Sequence, residues 1–151
     1  MKSLVWFRGD LRLDDNPALK NACENSDEVS AVFLFSPNQL SLHNEANIKI
    51  DFLIKNLSLL EKKLNNLNIC LTIIESKGFD SDEGCISNLV AKNNVDKVFW
   101  NNQFGEDESL RDIKVSEALI GNKIKYESFD DQVIYKPGTL KTGQGLSLIH
   151  I

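Results

Sequence analysis

The sequence predicts an α/β fold: a doubly wound, five-stranded parallel sheet with helices on both faces. Three observations predict it. Short apolar runs rich in β-branched and aromatic residues alternate with segments of helical period. The runs are continuous rather than alternating, as in strands covered on both faces. The segments between them are long enough for the helical crossovers that parallel strands require.

Leu4-Val5-Trp6-Phe7 is the first strand, and its character flips at once into Arg8, Asp10, Arg12, Asp14 and Asp15. A buried strand therefore delivers a charged loop at its carboxyl end, where open parallel sheets place their ligand crevices. Asn16-Pro17 opens a helix to Asn25: Asn caps, and Pro suits a first position whose N–H would be unpaired anyway. Ala18, Leu19 and Ala22 face inward. Val29 to Phe35 is the second strand, ended by Ser36-Pro37. Ser36 to Asn47 reads as a loop. Glu45 to Leu67 reads as a long helix whose Ile48, Phe52, Leu53, Leu57, Leu60, Leu64 and Leu67 share one face.

Ile69 to Ile74 is the third strand, and Ser81-Asp82-Glu83 caps a helix to about Asn93. Lys97 to Trp100 is the fourth strand. Glu106 to Leu119 is the fourth helix, stopped by Gly121-Asn122, and Lys123 to Phe129 is the fifth strand. Lys136-Pro137-Gly138 is a turn and Thr142 to Gly145 a flexible exit. Gly143-Gln144-Gly145 is not a phosphate loop, because no helix follows it.

At 151 residues the chain fits one domain with a real core. Its 42% apolar and 26% charged residues are ordinary for a globular protein, and a formal charge of −5 does not suit a phosphate backbone. Cys23, Cys70 and Cys85 lack metal-site spacing and are odd in number. They read as reduced, mostly buried thiols of a cytoplasmic protein. No signal peptide or membrane span is visible, and a monomer is expected.

Two further loops carry chemistry. Ser36 to Asn47 holds His43; Trp100 to Asp112 holds Asn101, Asn102, Gln103 and the acidic run Glu106-Asp107-Glu108. By themselves, a loop histidine is usually solvated and acidic residues are favoured in a first helical turn by the macrodipole. Arg111 and Asp112 read as ordinary helix-surface partners. Arg8, Asp10 and Arg12 read as a structural ion-pair network.

The string WFRGDLRLDDNPAL resembles the opening of DNA photolyases and cryptochromes, with their Trp-Phe-Arg-x-Asp-Leu-Arg and an Asp-Asn before the first helix. The resemblance covers about residues 3 to 145, the amino-terminal third of a typical photolyase. It implies a Rossmann-like sheet of order 3-2-1-4-5, with a crevice between strands one and four. It also implies an antenna chromophore, methenyltetrahydrofolate, held by residues of this domain. His43-Asn44 matches the family's His-Asn. Asn101 to Asp112 follows the family's Asn-x-Gln-x-x-x-Asn-Glu-x-x-Arg-Asp, which puts Glu108 on the family glutamate. Asp107 stands where the family has Asn, a departure: ionised Asp only accepts hydrogen bonds, whereas Asn also donates. The implied cofactor-binding residues are Glu108, His43 and Asp107, in that order; no catalytic or metal residue is expected.

Phe129 to Gly145 also resembles the family, where Phe-Asp-Asp and a Pro-Gly lead to a linker. The expected division is residues 1–135 as the α/β domain and 136–145 as the start of that linker. Residues 146–151, LSLIHI, match what a sequencing-adapter end encodes in one frame and are expected to be non-native. By resemblance, FAD, the light-driven lyase chemistry and contact with damaged DNA belong to a helical domain absent from the chain. The fragment alone is thus expected to be inactive in repair, with that helical domain as its partner. The alternatives are a cryptochrome domain, an antenna-less photolyase scaffold, and a free-standing nucleotide-binding α/β module. Against the last, only Gly9 stands in the first loop, with no glycine-rich turn.

Overall fold

In the computed structural model, which describes residues 1–42, 45–135 and 139, five parallel strands lie in the order β3-β2-β1-β4-β5. They are β1 (Lys2–Phe7), β2 (Glu28–Phe35), β3 (Cys70–Glu75), β4 (Lys97–Asn101) and β5 (Lys125–Phe129). The helices are α1 (Pro17–Asn25), α2 (Pro37–Leu42), α3 (Asn47–Asn65), α4 (Phe79–Asn93) and α5 (Glu106–Gly121). Chain order reverses at β1, which pairs Val5 with Ala31 on one side and with Phe99 on the other. Ligand crevices of open sheets form at such a reversal.

Strand alternation divides the core into two layers. Val5, Phe7, Ala31, Phe33, Leu71 and Phe99 pack beneath α1 and α3, against Ala18, Leu19, Ala22, Leu57, Leu60 and Leu64. Leu4, Trp6, Val32, Val98 and Trp100 pack beneath α4 and α5, against Ile86, Leu89, Val90, Val115 and Leu119. Every residue of β1 after Lys2 is buried, which is why its sequence shows no polar alternation.

Asn16 caps α1 as its sequence requires: its side chain accepts from the Leu19 N–H at 3.1 Å, with Pro17 behind it. Elsewhere the structure departs from the sequence reading. Residues 37–42 form α2, a fifth helix where a loop is expected; Pro37 occupies its first position rather than stopping the chain. The long helix α3 begins at Asn47, and it meets the core only from Leu53 onward. Ile48 (78% exposed) and Phe52 (70%) stand in the open, and Leu67 is exposed beyond its end. α4 opens at Phe79, two residues before Ser81, because Gly78 makes the turn at φ +134°, a conformation that strains any side chain. Ser81 instead holds this turn closed, donating to the Gly78 carbonyl at 2.9 Å and accepting from the Lys77 N–H at 3.0 Å.

β5 starts at Lys125, since Lys123 at φ 61° completes the turn after α5. Cys23 and Cys70 are exposed and Cys85 half-buried, against the expectation of mostly buried thiols. The linker and tail segments, residues 136–145 and 146–151, lie outside the described residues apart from Thr139.

Candidate functional site

The charged loop after β1 turns back into the protein. The Asp10 carboxylate accepts from the Arg8 N–H at 2.8 Å, from Asn101 Nδ2 at 2.6 Å and from Asn16 Nδ2 at 3.2 Å. Asn101, at the end of β4, also accepts from the Ala18 N–H at 3.1 Å and donates to Asn16 Oδ1 at 2.8 Å. A buried carboxylate and two buried amides thus satisfy one another and the open amino end of α1. The ion pairs expected of Arg8 and Arg12 exist, but both reach distant elements: Arg8 Nη1 to Asp112 at 2.6 Å, and Arg12 Nη2 to Asp131 at 2.6 Å.

Arg111 and Asp112 are not surface partners. Arg111 is 6% exposed, because the face of α5 that carries it lies on β1. Its Nε and Nη2 donate to Asp112 Oδ1 at 3.0 and 2.8 Å, and its Nη2 to Gln103 Oε1 at 3.0 Å. Its guanidinium centre lies 4.9 Å from the ring centre of Trp6 and 4.9 Å from that of Phe79. The Arg8 guanidinium stands 4.8 Å from the same Trp6 ring, and it also donates to the Asn101 carbonyl. Burial lowers the Arg8 pKa from its ordinary value, against the attraction of Asp112, and its Nε has no hydrogen-bond partner among the described residues.

Above this layer the carboxyl ends of β1 to β4 open into a cleft. Its inner part, 160 Å³, is lined by Arg8, Ser36, Gln39, Phe79, Asp82, Gln103, Glu108 and Arg111, among others. A larger outer part, 510 Å³, shares Gln39, Phe79 and Arg111 with it and adds Lys77, Asp107, Leu110 and Lys114. Asp82 is buried beneath the cleft and takes a hydrogen bond from the Ser76 hydroxyl. Burial raises its pKa, opposed by that hydrogen bond and by Arg111 and Arg8.

Of the three expected site residues, the structure brings two together. Glu108 lines the inner part and Asp107 the outer, both on the first turn of α5. The Glu108 carboxylate folds back against Gly105 at the start of α5. His43 lies outside the described residues; Gln39, on the helix just before it, lines both parts of the cleft. Sequence reasoning missed Gln39, Phe79 and Asp82 as lining residues; Gln103, in the motif after β4, lines the inner part. Arg111 carried a signal, since it stands one turn beyond Glu108 on the same helix.

The cleft offers carboxylate acceptors, two amides and an aromatic ring, a set suited to a flat heteroaromatic ligand with N–H groups on its edge. Among the described residues no group of three or more His, Cys, Asp or Glu is placed to hold a metal ion. No described helix is long and apolar enough to cross a membrane.

A family model described as DNA photolyase matches residues 3–150. The chain is 37% identical, over 93% of its length, to the deoxyribodipyrimidine photo-lyase of Escherichia coli (strain K12), of which it covers 29%. It is 34% identical, over 94% of its length, to the enzyme of the same name from Vibrio cholerae, of which it covers 30%. The chain thus spans less than a third of the length of these relatives. Among solved structures, an archaeal photolyase from Sulfolobus tokodaii, described with two FAD molecules and the implication of a novel light-harvesting cofactor, matches with a TM-score of 0.81. Identity there is 26%, over 95% of this chain and 32% of that one.

Proposed function

Because this chain belongs to the DNA photolyase family, we propose that it is the antenna-binding domain of a deoxyribodipyrimidine photolyase, with methenyltetrahydrofolate in the cleft. The observation that carries this reading is the place of Glu108. It stands on the first turn of α5, beside the β1–β4 reversal, facing an opening lined by Gln39, Phe79 and Gln103. A carboxylate there accepts from the amino group and ring N–H of a pterin edge together, a paired geometry that carboxylates favour. Phe79 supplies a flat apolar contact. His43 follows α2, the helix that brings Gln39 to the cleft, and is proposed as a further contact. Asp107 lines the outer part, where it accepts but does not donate.

Glu108, Gln39, Phe79 and Gln103 would hold the chromophore, which would supply light absorption and transfer of excitation to a flavin. In this reading FAD, the dimer-splitting chemistry and the damaged DNA all belong to a helical domain outside the chain, and the protein is a cytoplasmic monomer. The residues described here hold and orient the antenna; none is catalytic. A second reading has specific support from Asp107, which departs from the family's Asn, and from the two FAD molecules of the Sulfolobus relative. In it the cleft takes a flavin as antenna.

The test is an absorption and fluorescence titration of the chain, and of the intact gene product, with methenyltetrahydrofolate and with FAD in parallel. Saturable folate binding, weakened about ten-fold or more by Glu108→Ala, is expected from loss of a charge-assisted pair. Binding of FAD alone moves the assignment to the second reading. Binding of neither ligand, even by the intact gene product, overturns both.

A further inference from the structure

Trp6 occupies an unusual position between the cleft and the core. It is 1% exposed, and the Arg8 and Arg111 side chains that line the cleft are also the ones stacked on its ring, at 4.8 and 4.9 Å. Asp112 is the one carboxylate hydrogen-bonded to both guanidinium groups among the described residues; Asp10 and Asp82 also lie within electrostatic reach, but it is the two guanidinium groups that stand on the Trp6 ring. Behind Trp6 the aromatic rings continue. Trp100 meets it edge-on at 6.0 Å and stacks on Tyr126 at 5.0 Å, and Tyr126 is 37% exposed on the edge strand β5. Oxidisable rings therefore run without a break from beneath the cleft to the surface.

Such a row endangers an excited ligand. A photoexcited flat heteroaromatic is a strong one-electron oxidant, and indole is among the most readily oxidised side chains. One electron passing from Trp6 to the excited ligand leaves an indole radical cation and a ligand radical anion. The pair recombines to two ground states and releases heat. Alternatively the hole moves to Trp100 and on to Tyr126, whose phenolic proton leaves to water. Either course discards the excitation.

The arginines oppose the first step. The positive charge it would place on Trp6 lies within 5 Å of two guanidinium groups, in a layer nearly closed to water where repulsion is weakly screened. We propose that Arg8 and Arg111 make Trp6 a poor electron donor and thereby preserve the excited state of the ligand in the cleft. This rests on reading the cleft as an antenna site. Holding α5 against β1, the other service of the arginines, makes no demand on the ligand's excited state.

The test is the fluorescence decay of methenyltetrahydrofolate bound to the intact gene product with its flavin removed, because transfer to the flavin also shortens the decay. Trp6→Phe alone is expected to leave the lifetime unchanged, because the indole is already silent. Arg111→Met is expected to shorten it by about two-fold or more, and Arg111→Met combined with Trp6→Phe to restore it. A lifetime that lengthens about two-fold in Trp6→Phe shows that Trp6 quenches despite the arginines and overturns the proposal. An unchanged lifetime in a natively folded Arg111→Met protein also overturns it. If Arg111→Met does not fold, Arg8→Met with and without Trp6→Phe makes the same comparison, since Arg8 stands equally close to the ring. Absence of binding in the titration sinks the antenna reading and this inference together, whereas binding with the wrong lifetimes sinks this one alone.

Discussion

Arg8 and Asp112, 104 residues apart in the chain, meet at 2.6 Å beneath the cleft, and the same Asp112 oxygen takes two further hydrogen bonds from Arg111. One carboxylate therefore joins the end of β1 to α5 and balances charge in a layer nearly closed to water. Removing one member of such a cluster costs far more than removing an exposed pair, because the partners stay buried.

Asp112→Asn is expected to destabilise the fold by about 3–5 kcal/mol, the cost of leaving buried charge uncompensated. For a chain of this size that lowers the melting temperature by on the order of 10 °C. Thermal and urea unfolding followed by circular dichroism measure it. A loss below about 1 kcal/mol, the range of exposed pairs, would show that water reaches the cluster.

Asp82→Asn is expected to stabilise the protein near neutral pH. Burial raises the Asp82 pKa above 3.8, so between the two values the folded state holds a proton that the unfolded state has lost. Stability therefore falls as pH rises through that window and stays lower above it. The amide has no such term, so its advantage is present at neutral pH and vanishes in acid below the ordinary carboxyl range. Melting curves at about pH 3 and pH 7 separate the two conditions; an equal gain at both contradicts the assignment.

Asn101 tests the polar knot. Its Nδ2 lies 2.6 Å from Asp10 Oδ2, so Asn101→Asp sets two buried carboxylates face to face. Asn101→Ala is expected to cost about 1–3 kcal/mol at any pH, from groups left unpaired. Asn101→Asp should cost more at neutral pH and recover as the solution is acidified, since one carboxyl of such a pair holds its proton. Parallel losses for both variants across the pH range would refute the arrangement.

The two halves of α3 make a contrast. Phe52→Gln is expected to change stability by less than about 0.5 kcal/mol, as for other exposed positions. Leu60→Ala should cost about 2–5 kcal/mol through the cavity it leaves. Equal costs would mean that the first turns of α3 are covered in solution.

Much of this architecture was legible in the sequence. The unbroken run Leu4 to Phe7 belongs to a strand covered on both faces, and Asn16-Pro17 marks the start of α1 to the residue. Strand order was legible only through family resemblance, because a strand's own residues do not name their neighbours. α2 escaped notice because six residues contain less than two helical turns, too few to show a period. Ile48 and Phe52 continue the apolar stripe of α3, but periodicity does not reveal where the sheet beneath a helix ends. An odd cysteine count says that one thiol is unpaired and nothing about depth, hence the misplacement of Cys23 and Cys70. Glu108 was legible from its motif. Gln39, Phe79 and Asp82 were not, since two different connections, through α2 and through α4, bring them to one cleft.

The Arg12–Asp131 pair has a mechanical side. β5 is an edge strand, and tension applied at its carboxyl end would peel its hydrogen bonds from β4 one at a time. Just past that end, Asp131 is held by Arg12 at 2.6 Å and Asp130 by Asn102 Nδ2 at 2.8 Å. A pull along the chain at Tyr135 thus loads the β1–α1 loop and the end of β4 before it reaches the first rung of the ladder. The force is delivered to the centre of the sheet, and the weakest strand is spared.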